Sequence, residues 1–356
     1  MQKDSSIENY YSITDEGIKI FSSLEDKTGG SEEFFLRFRQ RESRQKENPI
    51  HLKEFVPFVQ DVRIAIDPGH FGGSSALLER RFTHMFFMEG TLSQKEVRFN
   101  EGDLTLLTAK VLRDLLIPSG AKVFLTRERL GEGSLDFSFE DWLKNRNHEI
   151  TDHKTMQEVF RKHYNALDLK SRAERINAFH PHLTVCIHYN SHKSDDSDSG
   201  NTKATLENYN VTFVSGAFAK GELLHRRNRY EFVRLLASQD FERSVAFSEI
   251  VARQFQKHLG VPIMPEGMEA GYIDRFCIPV ARGVYARNLA LTQLVHGVLC
   301  YGETLCQNHL EECARLGAND LSVEGIVGPR RSREAAKAYY EGILEYLERG
   351  RGESGF

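Results

Sequence analysis

The chain has 356 residues, 40% hydrophobic and 28% charged, the balance of a soluble globular protein with about two domains' worth of length. No apolar run approaches the ~18 residues of a membrane-spanning helix, and a net charge of -4 argues against a dominant phosphate-binding surface and so against nucleic acid as partner. Five cysteines with no CxxC pair exclude both a disulfide framework and a cysteine zinc ribbon.

The start, MQKDSSIENYY, is polar and has no apolar stretch behind a basic segment, so it does not read as a secretory signal. Either the protein stays in the cytoplasm or Met1 is not the native start. Tyr10 to Phe21 alternates apolar and polar residues around Asp15-Glu16-Gly17, the pattern of a small hairpin. Glu32 to Glu47, with its Phe34/Phe35/Phe38 stripe, suggests a short amphipathic helix. Arg41 to Asn48 reads as a solvated linker. Residues 1–60 are therefore expected to form an N-terminal extension, either a docking element or an edge strand packed on the main sheet.

From Val62 strands and helices alternate. Strands are expected at Arg63–Asp67, Lys122–Arg127, Leu183–His188, Asn210–Ser215 and Leu294–Tyr301. Helices are expected at Gly102–Leu116, closed by Pro118 and Gly120, at Leu169–Phe179 with Asp168 as N-cap, at Phe241–Leu259, and at Arg333–Leu347. This alternation predicts an α/β fold: a mostly parallel twisted sheet of about six strands with helices on both faces. The domain would span 61–350. Two segments interrupt it, 128–165 and 192–207, each directly after a strand, where loops crowd the functional edge of a sheet.

Candidate chemistry sits at those edges. Ile66-Asp67-Pro68-Gly69-His70 ends the first strand; Pro stops the ladder and Gly permits a turn, which displays His70. His188 ends a later strand, Glu101 opens a helix after Asn100, and Glu303 follows the last strand. These side chains could meet outside the carboxyl ends of one sheet. Two imidazoles and one carboxylate make a zinc set with an open fourth position, and a second carboxylate, Glu303, would then move protons. Taken singly, each has a plainer reading: a surface histidine, or a carboxylate favoured by a helix dipole. No HExxH is present, so helix-borne zincin chemistry is not supported. Gly69-His70-Phe71-Gly72-Gly73 lacks the Gly-Lys-Ser/Thr of a phosphate loop. His225-Arg226-Arg227-Asn228-Arg229 reads as a solvated helix start.

The order IDPGH, then Asn100-Glu101-Gly102-Asp103-Leu104, then AKVFLTR, then Leu169-Lys170-Ser171-Arg172 with Ile176-Asn177, then Val185-Cys186-Ile187-His188-Tyr189-Asn190 resembles the zinc-dependent N-acetylmuramoyl-L-alanine amidases, over about Arg63 to Leu347. The resemblance implies one zinc ion per chain on His70, Glu101 and His188. It also implies an essential glutamate at Glu303, ahead of Asn308 and Glu311, with Gly302 one residue out of that register. A peptidoglycan substrate and a periplasmic or cell-wall location follow from the family. The alternatives are a zinc amidase acting on soluble muropeptides or another amide, and a cell-wall-binding regulator without catalysis. The chain departs from the family in placing Phe71 directly after His70, and in a connection from Arg127 to Leu169 about thirty residues longer than usual. That insertion is either a flap gating the site, on which a regulator could act, or a surface decoration.

Overall fold

A computed structural model describes residues 7–38, 59–89, 93–145, 153–192, 202–218, 221–268 and 270–353. The strands are β1 (Tyr11–Ile13), β2 (Gly17–Ile20), β3 (Phe34–Arg37), β4 (Arg63–Pro68), β5 (Phe82–Glu89), β6 (Ser93–Asn100), β7 (Lys122–Leu125), β8 (Leu183–Tyr189), β9 (Val211–Val214), β10 (Cys277–Ala281), β11 (Val284–Arg287), β12 (Val298–Thr304), β13 (Leu321–Val323) and β14 (Ile326–Gly328). The helices are α1 (Leu24–Gly29), α2 (Ala76–Glu79), α3 (Glu101–Leu116), α4 (Phe139–Lys144), α5 (His153–Val159), α6 (Asn165–Phe179), α7 (Arg226–Ala237), α8 (Asp240–Leu259), α9 (Gly271–Phe276), α10 (Ala290–Leu294), α11 (Leu310–Leu316) and α12 (Arg330–Glu353).

The central sheet has seven strands in the order β10-β11-β9-β12-β8-β4-β7. β12, β8, β4 and β7 run parallel, and β9 pairs antiparallel with β12. The fold is α/β with a mostly parallel sheet, as expected. Within this sheet the strands missed are β10 and β11, an antiparallel edge pair whose register shifts between Pro279 and Ala281, and the two-stranded sheets β5-β6 and β13-β14 were not expected either.

Strand alternation sorts the core onto two faces. Ile64, Ile66, Val185, Ile187 and Cys300 pack with Leu107 of α3, Phe255 of α8 and Tyr339 of α12. Ala65, Cys186, Leu299 and Tyr301 pack with Ile176 of α6 and Leu291 of α10. Burying each large apolar side chain contributes about 1.5–3 kcal/mol, so the two layers hold the strand ends in fixed register.

Four expectations need correcting. Phe34–Arg37 is a strand, not part of a helix: β3 pairs antiparallel with β2, Ile20 opposite Phe34, and pairing of an aromatic-rich segment overrides weak helical periodicity. The resulting three-stranded sheet is separate from the central one and packs Tyr10 and Ile20 against Tyr230 and Val233 of α7, so among the described residues the extension contributes no edge strand to the main sheet. The last strand begins at Val298, because Leu294 closes α10 and Gly297 turns the chain at φ 88°. Asp168 is no N-cap: α5 runs through a π-helical turn, Phe160–Tyr164, directly into α6. The expected linker Arg41–Asn48 and residues 193–200 lie outside the described residues.

Candidate metal centre

β4 and β8 are adjacent and parallel, with Pro68 opposite Ile187. Their carboxyl ends therefore release His70 and His188 at the same edge. Glu101 opens α3, whose N-cap is Asn100; the Asn100 side chain accepts from the Asp103 N–H at 2.9 Å. Two close approaches admit only glycine. A Cβ on Gly69 would fall 2.1 Å from the His188 ring, and one on Gly102 would fall 2.2 Å from Gly72 N. His70 itself has φ 61°, a left-handed conformation that costs a non-glycine residue about 1–2 kcal/mol.

That turn is held from behind. Arg172 is buried and donates through Nη1 to Pro68 O at 2.8 Å, through Nη2 to His70 O at 3.2 Å, and through Nε to Asp168 at 2.6 Å. Arg127 donates to Pro68 O at 3.0 Å, Gly69 O at 3.0 Å and Gly102 O at 2.7 Å. Two guanidinium forks thus tie β4, its turn and the start of α3 into one unit. Sequence reasoning quoted both arginines within motifs and gave neither a role.

The three predicted side chains converge. His70 Nε2 lies 3.1 Å from Glu101 Oε2. His188 Nδ1 lies 3.1 Å from His70 Nε2 and 3.2 Å from Glu101 Oε1. Ligand atoms held ~2.0–2.1 Å from a tetrahedral zinc ion are about 3.3 Å apart, so these separations fit one shared ion. The hydrogen-bond chemistry fits as well. His70 Nδ1 is engaged by Glu79 Oε1 at 2.8 Å, which fixes the tautomer and turns the Nε2 lone pair toward the Glu101 carboxylate. Two acceptors face one another there unless a cation or a proton stands between them. Burial pulls His70 down, but the charges of Glu101 and Glu79 outweigh it and raise the imidazole to about 9. Burial lowers His188 to about 4, against its hydrogen bond with Glu101.

Glu79 is the residue that sequence reasoning missed. It sits on the four-residue α2, where no periodic signal marks it. Its second oxygen accepts from the Phe71 N–H at 3.1 Å, an outer-shell arrangement that orients a ligating imidazole. Glu101 is oriented in the same manner by the Tyr189 N–H at 3.0 Å.

Glu303 is inside β12 rather than after it, and its Cα pairs with His188. Its neighbour Tyr301, two residues back on the same face, stacks on the His188 ring at 4.4 Å between centroids. Desolvation, then the Glu101 charge, raises the Glu303 carboxyl to about 8, against Arg287, His70 and Arg81. Gly302 faces the opposite side: a Cβ there would meet the Tyr339 hydroxyl at 2.1 Å.

The insertion packs beside this centre. Phe71, the residue out of place after His70, is buried with Phe139, Trp142, Phe160 and Tyr164. Gly131 N–H donates to Phe71 O at 3.0 Å, and Ser134 N–H donates to Asp168 at 2.5 Å. The departure at 71 and the extra length at 128–165 are one feature, a side chain and the element it anchors. The other sequence expectations resolve simply. His192 is buried against the Tyr209 hydroxyl at 3.1 Å, no disulfide forms among the described cysteines, and His225 precedes α7 as a helix start.

The sequence matches the N-acetylmuramoyl-L-alanine amidase family over residues 64–296, a span that contains His70, Glu101 and His188 and ends before Glu303. No curated protein matches the sequence. Among solved structures, the chain is similar to the apo form of the N-acetylmuramyl-L-alanine amidase Ami1 from Mycobacterium abscessus, at 15% identity and a TM-score of 0.46, over 81% of this chain and 100% of that one. It is also similar to the CwlD amidase from Clostridioides difficile, solved in complex with the GerS lipoprotein, at 18% identity and a TM-score of 0.44, over 81% and 99%. A third is the N-acetylmuramoyl-L-alanine amidase AmiC2 of Nostoc punctiforme, at 16% identity and a TM-score of 0.41, over 81% and 97%.

Proposed function

The chain belongs to the N-acetylmuramoyl-L-alanine amidase family and is a hydrolase, and from this we propose that it cleaves, with one zinc ion, the amide joining the lactyl group of N-acetylmuramic acid to L-alanine of the stem peptide. The observation that carries the reading is the convergence of His70 Nε2, Glu101 and His188 Nδ1 at one sheet edge, their ligand atoms all within 4.8 Å of one another, with Glu303 on the strand next to His188.

His70, Glu101 and His188 would hold the ion, which when bound supplies Lewis acidity toward a carbonyl oxygen and water. With the charge of a bound ion offsetting that of Glu101, Glu303 would be ionised, and it takes a proton from the attacking water as the water oxygen bonds to the amide carbon. It returns that proton to the alanine nitrogen as the carbon–nitrogen bond breaks, so the carboxylate ends as it began. Glu79 keeps the proton on His70 Nδ1, which leaves Nε2 as the donor atom. The Tyr189 N–H holds one oxygen of Glu101 and fixes how that carboxylate presents itself. Arg172 and Arg127 hold the turn that carries His70. Residues 61–350 would form the catalytic domain and 1–60 its extension. Among the described residues no helix is long and apolar enough to cross a membrane. The protein would act where peptidoglycan lies, in the periplasm or cell wall.

Zinc content measured on the chain after metal loading tests the ligand set. One ion per chain is expected, with loss in His188→Ala and in Glu101→Ala. Unchanged zinc content in both variants would refute it.

A further inference from the structure

Beside His70 lies a cavity of about 400 Å³ whose walls come from two different places in the sequence. One wall is the end of α2, with Arg80 and Arg81 directly beyond it. The other is the insertion, where α5 and the π-helical turn contribute Lys154, Arg161 and Lys162, all exposed at their surface. Five cationic side chains and two carboxylates, Glu79 and Glu158, thus line the cavity, and Arg81 also meets the charges of Glu101 and Glu303. Glu79 is occupied by His70 and the Phe71 N–H, and Glu158 pairs with Lys162 at 3.4 Å. The whole chain carries a net charge of -4, so this positive wall runs against the sign of its composition. A concave site of one charge sign concentrates ligands of the other.

The insertion is fixed in place to present these charges. Phe160 and Tyr164 turn inward onto Phe71, with ring centroids 5.1 and 5.8 Å away. Gln157 Nε2 donates to Leu77 O at 2.7 Å. The π-helical turn carries Arg161 and Lys162 between those two inward aromatics, and such turns recur at functional sites.

On the amidase reading, the substrate has two unlike halves on either side of the scissile amide. The sugar strand is neutral, whereas the stem peptide carries carboxylates. We infer that the Lys154–Arg161–Lys162 face of the insertion is the wall along which the peptide half lies, and that it selects stem peptides bearing free carboxylates. This inference rests on the proposed amidase activity, and it gives the insertion a part in specificity.

The test uses the full zinc-loaded chain and two soluble muropeptides that differ only in whether the stem glutamate carries a free carboxylate or a carboxamide. The wild type is expected to prefer the carboxylate by about tenfold in kcat/KM, equivalent to about 1.4 kcal/mol, with the difference in KM and shrinking as salt is added. In the triple variant Lys154→Gln/Arg161→Gln/Lys162→Gln, with zinc content and circular dichroism unchanged, the preference should fall to within about twofold. A preference that survives in the variant overturns the inference, and so does a wild type without preference. Cleavage of neither muropeptide, with stem peptides still released from purified peptidoglycan, would restrict the activity to the polymer; with no release from the polymer either, it would refute the amidase reading alone. In either case calorimetric binding of the two free stem peptides decides the wall: about tenfold tighter binding of the carboxylate form, lost in the triple variant, supports it, and equal binding refutes it.

Discussion

Glu303 and His188 are Cα partners across the parallel pairing of β12 with β8, and both side chains stand on the face that carries Tyr301. The neighbouring position, Gly302, points into the opposite layer, where Tyr339 and Phe255 would crowd any side chain. A one-residue slip in a strand exchanges faces, so only position 303 brings a carboxylate to the metal side. Gly302→Ala should destabilise the fold by about 1–3 kcal/mol through overpacking while leaving zinc content unchanged, measured by denaturant midpoint and metal analysis. Loss of zinc with an unchanged midpoint would contradict this assignment of faces.

Glu79 touches no substrate, yet it fixes which nitrogen of His70 faces Glu101. Replacing it with glutamine keeps the shape and removes the charge. Zinc affinity in Glu79→Gln should fall about 10–100-fold, the usual cost of losing an outer-shell carboxylate, when measured by competition with a chelator of known affinity. Affinity equal to the wild type would show that the Nδ1 contact does not orient the ring.

Acid sensitivity should come in part from a buried cluster far from the metal centre. Burial pushes Glu231 up, but the hydrogen bond from His296 and the charge of Arg234 outweigh it and hold the carboxyl below its ordinary value of 4.5. A carboxylate lowered by folding contributes stability that is fully present above its unfolded value and is lost as pH falls through the folded one. Wild type should therefore exceed Glu231→Gln by about 1.5–3 kcal/mol at pH near 7, the range for hydrogen bonds to charged groups, and the gap should close below pH ~4.5. Urea denaturation of both proteins across that range checks the sign. A gap that widens on acidification would contradict it.

Much of this was legible in the residues. The strand ends at His70 and His188 and the helix opening at Glu101 were marked by apolar runs stopping at Pro, Gly or polar residues, whereas Glu303 was expected beyond its strand and lies inside it. What escaped notice lacked a local signal. β10 and β11 are short, and Pro279 and Gly283 obscure their alternation. The phenylalanines at 34 and 35 became strand residues only because β2 was available to pair with them. Asp168 has the chemistry of a cap, but the π-helical turn made the helix continuous and turned its carboxylate to Ser134 and Arg172. Glu79 gains its role solely from where α2 falls in space. Phe71 was visible as a departure from pattern, although its partner, the aromatic face of the insertion, lay some seventy to ninety residues away.

The most direct test of the central claim is mass spectrometry of what zinc-loaded wild type and Glu303→Gln release from purified peptidoglycan, with zinc measured in both. The account predicts that wild type frees stem peptides beginning at L-alanine, while Glu303→Gln keeps its zinc and loses about 10²–10⁴-fold in rate. Release by Glu303→Gln at the wild-type rate would show that the proton is moved by another group.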